Sequence, residues 1–331
     1  MRPTRRAAAA LVLLVLALAP LACGGYLARD VEDEKVRVGF VPKSLNQEFW
    51  VNTKKGAEAA AGGNVEVITQ AAGSDLEIQE QIDIVENLLV QEIDALAIAP
   101  SSSDLLLPVL ERAARDVPVV LFDSDIPDWK QKVSYVGTEN FEGAKLAGRY
   151  IAKQLKDGGE LAVIAGIPGS EIGIERVDGM KKGLEEAGSK VKVVKEVPGN
   201  FDREQAVGAM EDILQSNPDI GAVFCANDQM ALGAVESIGA RDKQEQILLV
   251  GFDGALEATQ KILSGDMDAT VSQDPYAMGK RGVEAAVAKL RGEPVKRKIN
   301  TGAQLIESDN AQRYFERVRE RLGGTGRGLE G

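Results

Sequence analysis

Short apolar segments alternate with longer amphipathic segments along almost the whole chain, and this alternation restricts the fold more than any other feature. Most apolar segments are continuous, which is typical of parallel strands that helices cover on both faces. Strands that alternate with helices indicate βαβ units. We therefore predict an α/β protein built on parallel sheets. The predicted strands are 36–41, 65–69, 95–99, 117–122, 133–137, 161–165, 191–197, 222–226, 247–251, 269–272 and 304–306.

The segments between these strands carry apolar residues three or four positions apart, the spacing of the buried face of a helix. With 331 residues and 44% hydrophobic content, the chain has the length for about two domains. No repeat of short period is present, although the chain could consist of two similar βα halves. The clearest helical faces are Ile78, Ile82, Val85 and Leu89, and Ala144, Ala147, Ile151 and Leu155.

The N-terminus has the pattern of an exported protein. Three arginines among the first six residues precede an apolar stretch, 7–19, that is too short for a stable membrane span. Cys23 directly follows Ala22, which resembles the lipobox of bacterial lipoproteins, although Pro20 stands where that motif usually has Leu. We predict a signal peptide over 1–22 and lipidation of Cys23.

Ordinary signal-peptidase cleavage near 17–19 is the alternative, and Pro20 disfavours it. The polar, acidic segment 23–35 would tether the lipid to the folded protein. At the other end, 323–331 is Gly-rich without periodicity, so we predict a disordered tail.

Composition excludes several classes of function. The formal charge of −12 disfavours nucleic-acid binding, which needs clustered Lys and Arg. The absence of histidine excludes Ser-His-Asp and Cys-His catalysis and removes the commonest zinc ligand, while carboxylate-based catalysis stays open on composition alone. We predict a protein without catalytic residues, metal or cofactor. Cys225, the second of two cysteines, lies in the apolar run 222–226 and is expected to be a buried thiol.

One glycine-rich segment, GIPGSEIG at 166–173, is the best support for a nucleotide-dependent enzyme. Its spacing is not GxGxxG, no Walker lysine follows it, and the first βα turn has no glycine cluster. A single glycine-rich turn is weak evidence for phosphate binding.

Polar and aromatic residues recur where the predicted strands end and the next helices begin. Ligands of open α/β sheets bind outside the carboxyl ends of the strands. Amide, carboxylate and guanidinium groups bind hydroxyls in pairs, and aromatic rings cover C–H faces. The sequence therefore predicts a sugar site formed by Lys43, Gln47, Phe49, Trp50, Asp123, Arg176, Phe201, Asn227, Asp253 and Gln273.

The blocks that carry these residues resemble periplasmic sugar-binding proteins of the ribose-binding type. The resemblance runs from about Val36 to about Arg321, and the blocks keep the family's order. They are VGFVPKSLNQEFWVNTKKGAEAAA, VPVVLFDSD, YVGTENFEGAKLAG, IERVDGMKKGL, NFDREQA, AVFCANDQMALGA, LLVGFDG and ATVSQDPYAMG.

This resemblance implies a type I periplasmic binding protein, with two Rossmann-like lobes joined by three crossovers near 138–140, 273–275 and Gly302. The N-terminal lobe would contain 36–138 and 274–302, and the C-terminal lobe 139–273 and 303–322. The resemblance also implies a monomeric, extracytoplasmic component of an ABC importer. It would trap a monosaccharide by hinge closure and deliver it to a membrane permease.

Two related functions use the same fold. A sugar receptor for a chemotaxis or sensor protein remains an alternative, because it would use the same site. A sugar-responsive repressor would need a basic helix-turn-helix at the N-terminus, where this chain has the predicted signal peptide.

The resemblance also assigns roles to the aromatic residues. Phe49 and Trp50 match the pair that sandwiches the sugar ring, and Phe201 matches the aromatic residue of the other lobe. Taken alone, each aromatic residue would be expected in the core. At most one of Phe49 and Trp50 needs to be there, because adjacent residues at a helix start face different directions.

The polar residues receive roles in the same way. Arg176 matches the family's sugar-binding arginine, and its alternative is a surface salt bridge with Glu171 or Asp178. Asn227 and Asp253 match groups that hold ring hydroxyls, with helix N-caps as the alternative. Roles in holding hydroxyls are likewise implied for Asp123 and Gln273.

Two positions depart from ribose-binding proteins. Those proteins follow the aspartate with Arg, whereas Ser124 follows Asp123 here, and Gln47 replaces their Asn. Lys43 resembles a lysine of allose-binding proteins that reaches the sugar, with solvated surface as the alternative. The predicted ligand is therefore a pentose, a hexose or a polyol.

Overall fold

A computed structural model describes residues 34–322; the predicted signal peptide, Cys23 and the predicted tail lie outside the described residues. Twelve strands occur in the described part: β1 Val36–Val41, β2 Val65–Thr69, β3 Ala95–Ile98, β4 Val119–Phe122, β5 Ser134–Gly137, β6 Gly159–Ala165, β7 Val191–Pro198, β8 Ala222–Cys225, β9 Leu248–Asp253, β10 Ala269–Ser272, β11 Lys298–Asn300 and β12 Gln304–Glu307. Ten helices accompany them: α1 Glu48–Ala59, α2 Ile78–Val90, α3 Ser103–Asp116, α4 Asn140–Gln154, α5 Glu171–Glu186, α6 Arg203–Ser216, α7 Asp228–Gly239, α8 Leu256–Ser264, α9 Pro275–Leu290 and α10 Ser308–Arg321.

The strands form two six-stranded sheets with matching order. The first sheet runs β11–β5–β4–β3–β1–β2, and the second runs β12–β10–β9–β8–β6–β7. All pairs in the first sheet are parallel. In the second sheet β12 lies antiparallel to β10 and the other pairs are parallel. This confirms the predicted α/β fold with two lobes.

Each sheet is covered by helices on both faces, which explains the continuous apolar character of its strands. We call the first sheet with α1, α2, α3 and α9 the N-terminal lobe, and the second sheet with the remaining helices the C-terminal lobe. The chain passes between the sheets after β5, after β10 and between β11 and β12. Each lobe has two apolar clusters of buried residues.

The eleven predicted strands are all present, and no strand end differs from its prediction by more than two residues. Cys225 is fully buried in β8, as predicted. The sequence analysis missed β11, which is three residues long, polar, and pairs only at the edge of the first sheet with β5. A segment this short has no alternating or continuous apolar pattern to detect.

One predicted helical face is rotated. In α4 the residues Ala144, Ala147 and Ile151 are buried as predicted. In α2, by contrast, Val85 is buried but Ile78 is only half-buried. The buried face of α2 contains Gln81 instead, whose amide donates to Ala99 O at 2.9 Å and accepts from Ser101 N at 2.9 Å. A polar residue at a core position is satisfied here by loop backbone, which periodicity cannot reveal.

Contacts across the two lobes join helix ends. The Glu48 carboxylate, at the start of α1, accepts a hydrogen bond from the Leu256 amide, at the start of α8, at 3.0 Å. Arg321 in α10 forms two 2.9 Å bonds with Asp274, just before α9. No helix within residues 34–322 is long and apolar enough to cross a membrane.

Candidate functional site

The carboxyl ends of the strands of both sheets face a shared cavity between the lobes. The cavity is small, with a volume of about 40 Å³. Nine of the ten predicted site residues line it, and Gln273 does not. The lining consists of Lys43, Gln47, Phe49, Trp50, Asp75, Asp123, Ile172, Arg176, Phe201, Asn227 and Asp253.

Phe49 and Trp50 form the aromatic wall of the N-terminal lobe. They lie in the first turn of α1, and their rings meet edge to face with centroids 4.9 Å apart. Trp50 is buried and packs in the core beneath the site, whereas Phe49 is half-buried. Both residues line the cavity; the core fixes the Trp50 ring, and the Phe49 ring is the more exposed of the two.

Lys43 and Asp123 form an ion pair on this wall. The Lys43 Nζ lies 3.5 Å from Asp123 Oδ2, and 14% and 6% of the two side chains are exposed. Ser124, which stands where ribose-binding proteins have Arg, donates to the same Asp123 oxygen at 2.8 Å. The Lys43 ammonium also lies 5.5 Å from the centre of the Trp50 ring. Lys43 is therefore part of the cavity wall and the solvated-surface alternative is wrong.

Asp75 is a lining residue that the sequence analysis missed. Its carboxylate accepts hydrogen bonds from Ser44 Oγ at 2.6 Å and from Trp50 Nε1 at 3.2 Å. Burial raises the pKa of Asp75, and the nearby Lys43 ammonium opposes that shift. Asp75 lies in the loop between β2 and α2, six residues after the last residue of the strand. Attention to strand ends could not find it.

Arg176 is the cation of the C-terminal lobe. Its Nη1 lies 3.2 Å from Asp253 Oδ1, and its Nε donates to Asn140 Oδ1 at 3.0 Å. The same Nη1 donates to the backbone oxygen of Ala226 at 2.8 Å, and the guanidinium carbon lies 4.1 Å from the centre of the Phe252 ring. Only about 4% of Arg176 is exposed, so the alternative of a surface salt bridge is wrong.

Asp253 lies at the end of β9 and faces the same cavity. Burial raises its pKa to about 6, against the lowering effects of Arg176 and the Gln273 amide. That amide donates to Asp253 Oδ1 at 2.7 Å. Gln273 therefore hydrogen-bonds the carboxylate and lines a second, neighbouring cavity that Asp253 shares. Asp228 is buried beside Asp253, and burial also raises its pKa.

Asn227 caps a helix and also lines the cavity. Its Oδ1 accepts from Met230 N at 2.9 Å, which caps α7, and its Nδ2 donates to Phe201 O at 3.3 Å. The residue lines the cavity as well. An amide has two donor hydrogens and two acceptor lone pairs, so one of each remains for a ligand.

The glycine-rich segment 166–173 is explained by the Phe201 ring. A Cβ on Gly166 would lie 2.2 Å from Phe201 Cζ, and one on Gly173 would lie 3.4 Å from it. Glycine at 166 is thus required by the close approach of the aromatic ring. This packing accounts for the first glycine of the segment without a phosphate ligand.

Three site residues have strained backbones. Asp123, Phe201 and Asp253 have φ values of 60°, 59° and 129°, in the region that favours glycine. The described residues contain only six such non-glycine positions. Strain of this kind persists where surrounding structure holds it and is concentrated at functional sites. This backbone conformation directs the carboxylates of Asp123 and Asp253 and the ring of Phe201 toward the cavity.

A second cavity lies toward the crossovers and shares Gln47, Phe49 and Asp253 with the first. Its volume is about 300 Å³. Gln273, Asp274 and Arg321 are among its lining residues, and Glu48 crosses it to reach Leu256. Within residues 34–322 no cluster of three or more acidic or sulphur side chains could hold a metal ion.

The first cavity has the charge pattern of a site for a neutral, hydroxyl-rich ligand. Three carboxylates, those of Asp75, Asp123 and Asp253, line it together with two cations, Lys43 and Arg176. Carboxylates accept from hydroxyls through strong charge-assisted bonds. A further anion would be repelled, because the carboxylates outnumber the cations.

Two α/β lobes of matching strand order, three crossovers and a polar, aromatic cavity between them define a bilobal binding protein. The comparison with protein families agrees, since residues 38–294 match the model described as a periplasmic binding protein domain. The chain belongs to this family, whose members are exported. The prediction of a binding protein instead of an enzyme is thereby confirmed.

The similarity to individual proteins extends over most of the chain. The ribose import binding protein of Bacillus subtilis is 37% identical over 81% of this chain and 86% of its own length. The D-allose-binding periplasmic protein of Escherichia coli is 35% identical over 75% of this chain and 82% of its own. A solute-binding protein of Actinobacillus succinogenes, solved with D-allose, has a TM-score of 0.79 and 26% identity, covering 85% of this chain and all of that one.

Proposed function

We propose that this protein captures one monosaccharide outside the cytoplasm and delivers it to the permease of an ABC importer. The ligand is a pentose, a hexose or a related polyol. One observation carries the proposal: nine residues chosen from the sequence as sugar-binding lie around a single cavity between the lobes. The relatives named for ribose and allose support the same class of ligand.

Each type of group in the cavity has a role toward a sugar. Asp123 and Asp253 accept hydrogen bonds from hydroxyls, while Arg176, Lys43 and Asn227 donate to them. Phe49 and Phe201 come from opposite lobes and cover the C–H faces of the ring. Gln47, at the N-cap of α1, adds an amide whose side chain makes no capping bond.

The energetics of this arrangement are sufficient. Micromolar affinity corresponds to about −8 kcal/mol. Hydrogen bonds to charged groups contribute about 1.5–3 kcal/mol each. Four or five such bonds contribute about 6–15 kcal/mol before ring stacking is added, so the arrangement reaches the required free energy after the cost of ordering the ligand and the lobes when the bonds lie in the upper part of this range.

Binding occurs by closure of the lobes around the sugar. We assign 36–138 and 274–302 to the N-terminal lobe and 139–273 and 303–322 to the other, with the hinge at the three crossovers. The sugar contacts both lobes only in the closed state, so it shifts the population toward that state. The protein acts as a monomer, and the permease recognises the closed form.

A receptor role toward a chemotaxis or sensor protein is the second candidate. It uses the same cavity and the same closure, and it differs only in the partner. The importer is favoured because the similar proteins include import binding proteins.

The protein is held at the membrane by a lipid on Cys23, after removal of residues 1–22. Replacing Cys23 by Ser should move the protein from the membrane fraction to the soluble fraction. Equal partitioning of both versions after cell lysis would remove the lipid from the proposal.

The central experiment is a thermal-shift screen of the purified protein against pentoses, hexoses, polyols and nucleosides. A ligand at 100 times its Kd stabilises the native state by about 2.7 kcal/mol, so a cognate sugar should raise the Tm clearly. Small-angle scattering with that sugar should show a smaller radius of gyration, and the recovered sugar should be intact. Failure of every sugar to bind would overturn the proposal.

A further inference from the structure

Asp75 faces the sugar cavity but has no place in the set of residues taken from the sequence. It lies in the loop between β2 and α2, and its carboxylate reaches Trp50 at the start of α1. Ser44 and Trp50 hold one oxygen each, at 2.6 and 3.2 Å. Two donors on separate oxygens fix the plane of the carboxylate.

The carboxylate keeps unused capacity on the cavity side. An ionised carboxylate offers about four acceptor positions, and the protein occupies two of those on Asp75. Because Asp75 also lines the cavity, the remaining positions are available to a ligand there.

Lys43 adds a donor beside this acceptor. Its ammonium is attracted by both Asp75 and Asp123, with Nζ 3.5 Å from Asp123 Oδ2. An ammonium has three N–H donors. A carboxylate next to an ammonium suits one hydroxyl group, which donates to the first and accepts from the second.

Asp75 and Lys43 add hydrogen-bonding groups beyond the number that the ring of a pentose requires. A pentopyranose has four hydroxyls and a ring oxygen. Gln47, Asp123, Arg176, Asn227 and Asp253 already supply five polar side chains around the cavity. The indole of Trp50, hydrogen-bonded to Asp75, places apolar surface next to the pair, where a methylene carbon would pack.

We propose that Asp75 and Lys43 form a subsite for the exocyclic hydroxymethyl group of a hexopyranose, which makes Asp75 a specificity-determining residue. This inference rests on the proposed capture of a monosaccharide and narrows its class. Trp50 contacts the methylene, while Asp75 and Lys43 bind the hydroxyl.

The test uses pairs of pyranoses that differ only by the hydroxymethyl group. Calorimetric titration compares D-ribose with D-allose, D-xylose with D-glucose, L-arabinose with D-galactose, and D-lyxose with D-mannose. For the pair that binds best, the native protein should prefer the hexose by about tenfold or more, the effect of one hydrogen bond to a charged group. D75N should lower that preference to about twofold or less, with the pentose affinity nearly unchanged.

Ser44→Ala is the matched control, because it removes a bond to Asp75 and leaves the carboxylate in place. It should retain most of the preference for the hexose. A double-mutant cycle of D75N, K43M and the double variant measures the coupling of Lys43 and Asp75. The double variant should lose little more of the preference for the hexose than either single variant does.

Each outcome is decisive. Equal loss of hexose and pentose affinity in D75N would show that Asp75 only supports the wall, and overturns the subsite. A native protein that prefers the pentose, or that binds only sugars without a hydroxymethyl group, overturns it as well. If none of the eight sugars nor any polyol binds, the proposed function itself fails. A lower Tm of ligand-free D75N without a change in the ratio also counts against a role in specificity.

Discussion

The two lobes present the same pair of opposite charges at equivalent places in their sheets, but they hold them differently. Asp123 follows β4 and Asp253 ends β9, which occupy the same position in the strand order of the two sheets. Their cations follow equivalent strands, Lys43 in the loop after β1 and Arg176 in α5 after β6. Both lobes thus bring a carboxylate with a cation to the cavity, and the N-terminal lobe adds Asp75.

The surroundings of the two pairs differ. Arg176 is fixed by Asn140, by the Ala226 carbonyl and by the face of Phe252, all within its own lobe. Lys43, by contrast, has a flexible four-carbon side chain, and its ammonium is placed by the charges of Asp123 and Asp75. The C-terminal lobe therefore offers a preorganised anchor, whereas the N-terminal lobe offers the adjustable side. We infer that affinity depends mainly on the first and specificity on the second.

The largest effect should come from breaking the anchor. Arg176→Ala leaves a buried carboxylate unpaired next to Asp228, so it should weaken sugar binding about 100-fold or more. It should also lower the free energy of unfolding by about 3–5 kcal/mol, the usual cost of removing one partner from a buried pair. Titration calorimetry and urea unfolding measure the two effects.

Arg176→Lys serves as the control, because one ammonium cannot reproduce the three contacts of the guanidinium. It should recover part of the stability but little of the affinity. Normal stability of Arg176→Ala would mean that the anchor is not preorganised, and the contrast between the lobes would disappear.

The equivalent change in the other lobe should separate binding from stability. Lys43→Ala should weaken binding of the cognate sugar about 30-fold, as expected for loss of a charge-assisted bond. Its free energy of unfolding should fall by less than that of Arg176→Ala, by about 1–2 kcal/mol, because Asp123 keeps the hydrogen bond from Ser124. A stability loss as large as that of Arg176→Ala would show that both pairs are structural.

Acidification should affect the C-terminal lobe. Hydroxyls of a sugar donate to the ionised form of Asp253, whose pKa is raised to about 6 by burial. Affinity should therefore fall as the pH drops below about 6, by at most about tenfold per unit, and it should be flat above that value. Titrations from pH 4.5 to 8 measure it, with Asp253→Asn expected to remove most of the dependence.

Stability of the ligand-free protein should change in the opposite sense. A carboxyl group whose folded pKa lies above its unfolded value of 3.8 stabilises the fold fully below 3.8, and this contribution is lost as the pH rises to about 6. Arg176, Gln273, Asp123 and Asp228 face the same group and set the size of the effect. An affinity that rises on acidification would contradict the role of ionised Asp253.

The smallest effect tests the packing behind Phe201. Gly166→Ala forces the ring to move, since the new Cβ would lie 2.2 Å from it, and should weaken binding about fivefold. Gly208→Ala in α6 is the matched control, because a Cβ there meets nothing within 4 Å. It should stabilise the protein by about 0.5–1 kcal/mol without affecting binding. Identical binding by both variants would remove Phe201 from the ligand site.

The fold was predictable to a large extent because its strands leave continuous or alternating apolar patterns, which the short polar β11 lacks. The candidate site was predictable where residues follow strands directly, as Asp123 and Asn227 do. Asp75 escaped because the loop that carries it follows its strand by six residues. The hydrogen bond from Gln273 to Asp253 could not be predicted for another reason: the two residues are twenty positions apart, and only the folded sheet brings them together.

The hydrogen bond between Glu48 and Leu256 provides a way to measure how often the two lobes separate. Two successive amides are held differently: that of Ala255 by Asp228 at 2.7 Å within the lobe, and that of Leu256 by Glu48 at 3.0 Å from the other lobe. Whenever the lobes part, the second amide meets water and the first does not. The rate of deuterium exchange at the Leu256 amide, relative to that at the Ala255 amide, therefore reports how often the lobes open, and a bound ligand should lower this rate.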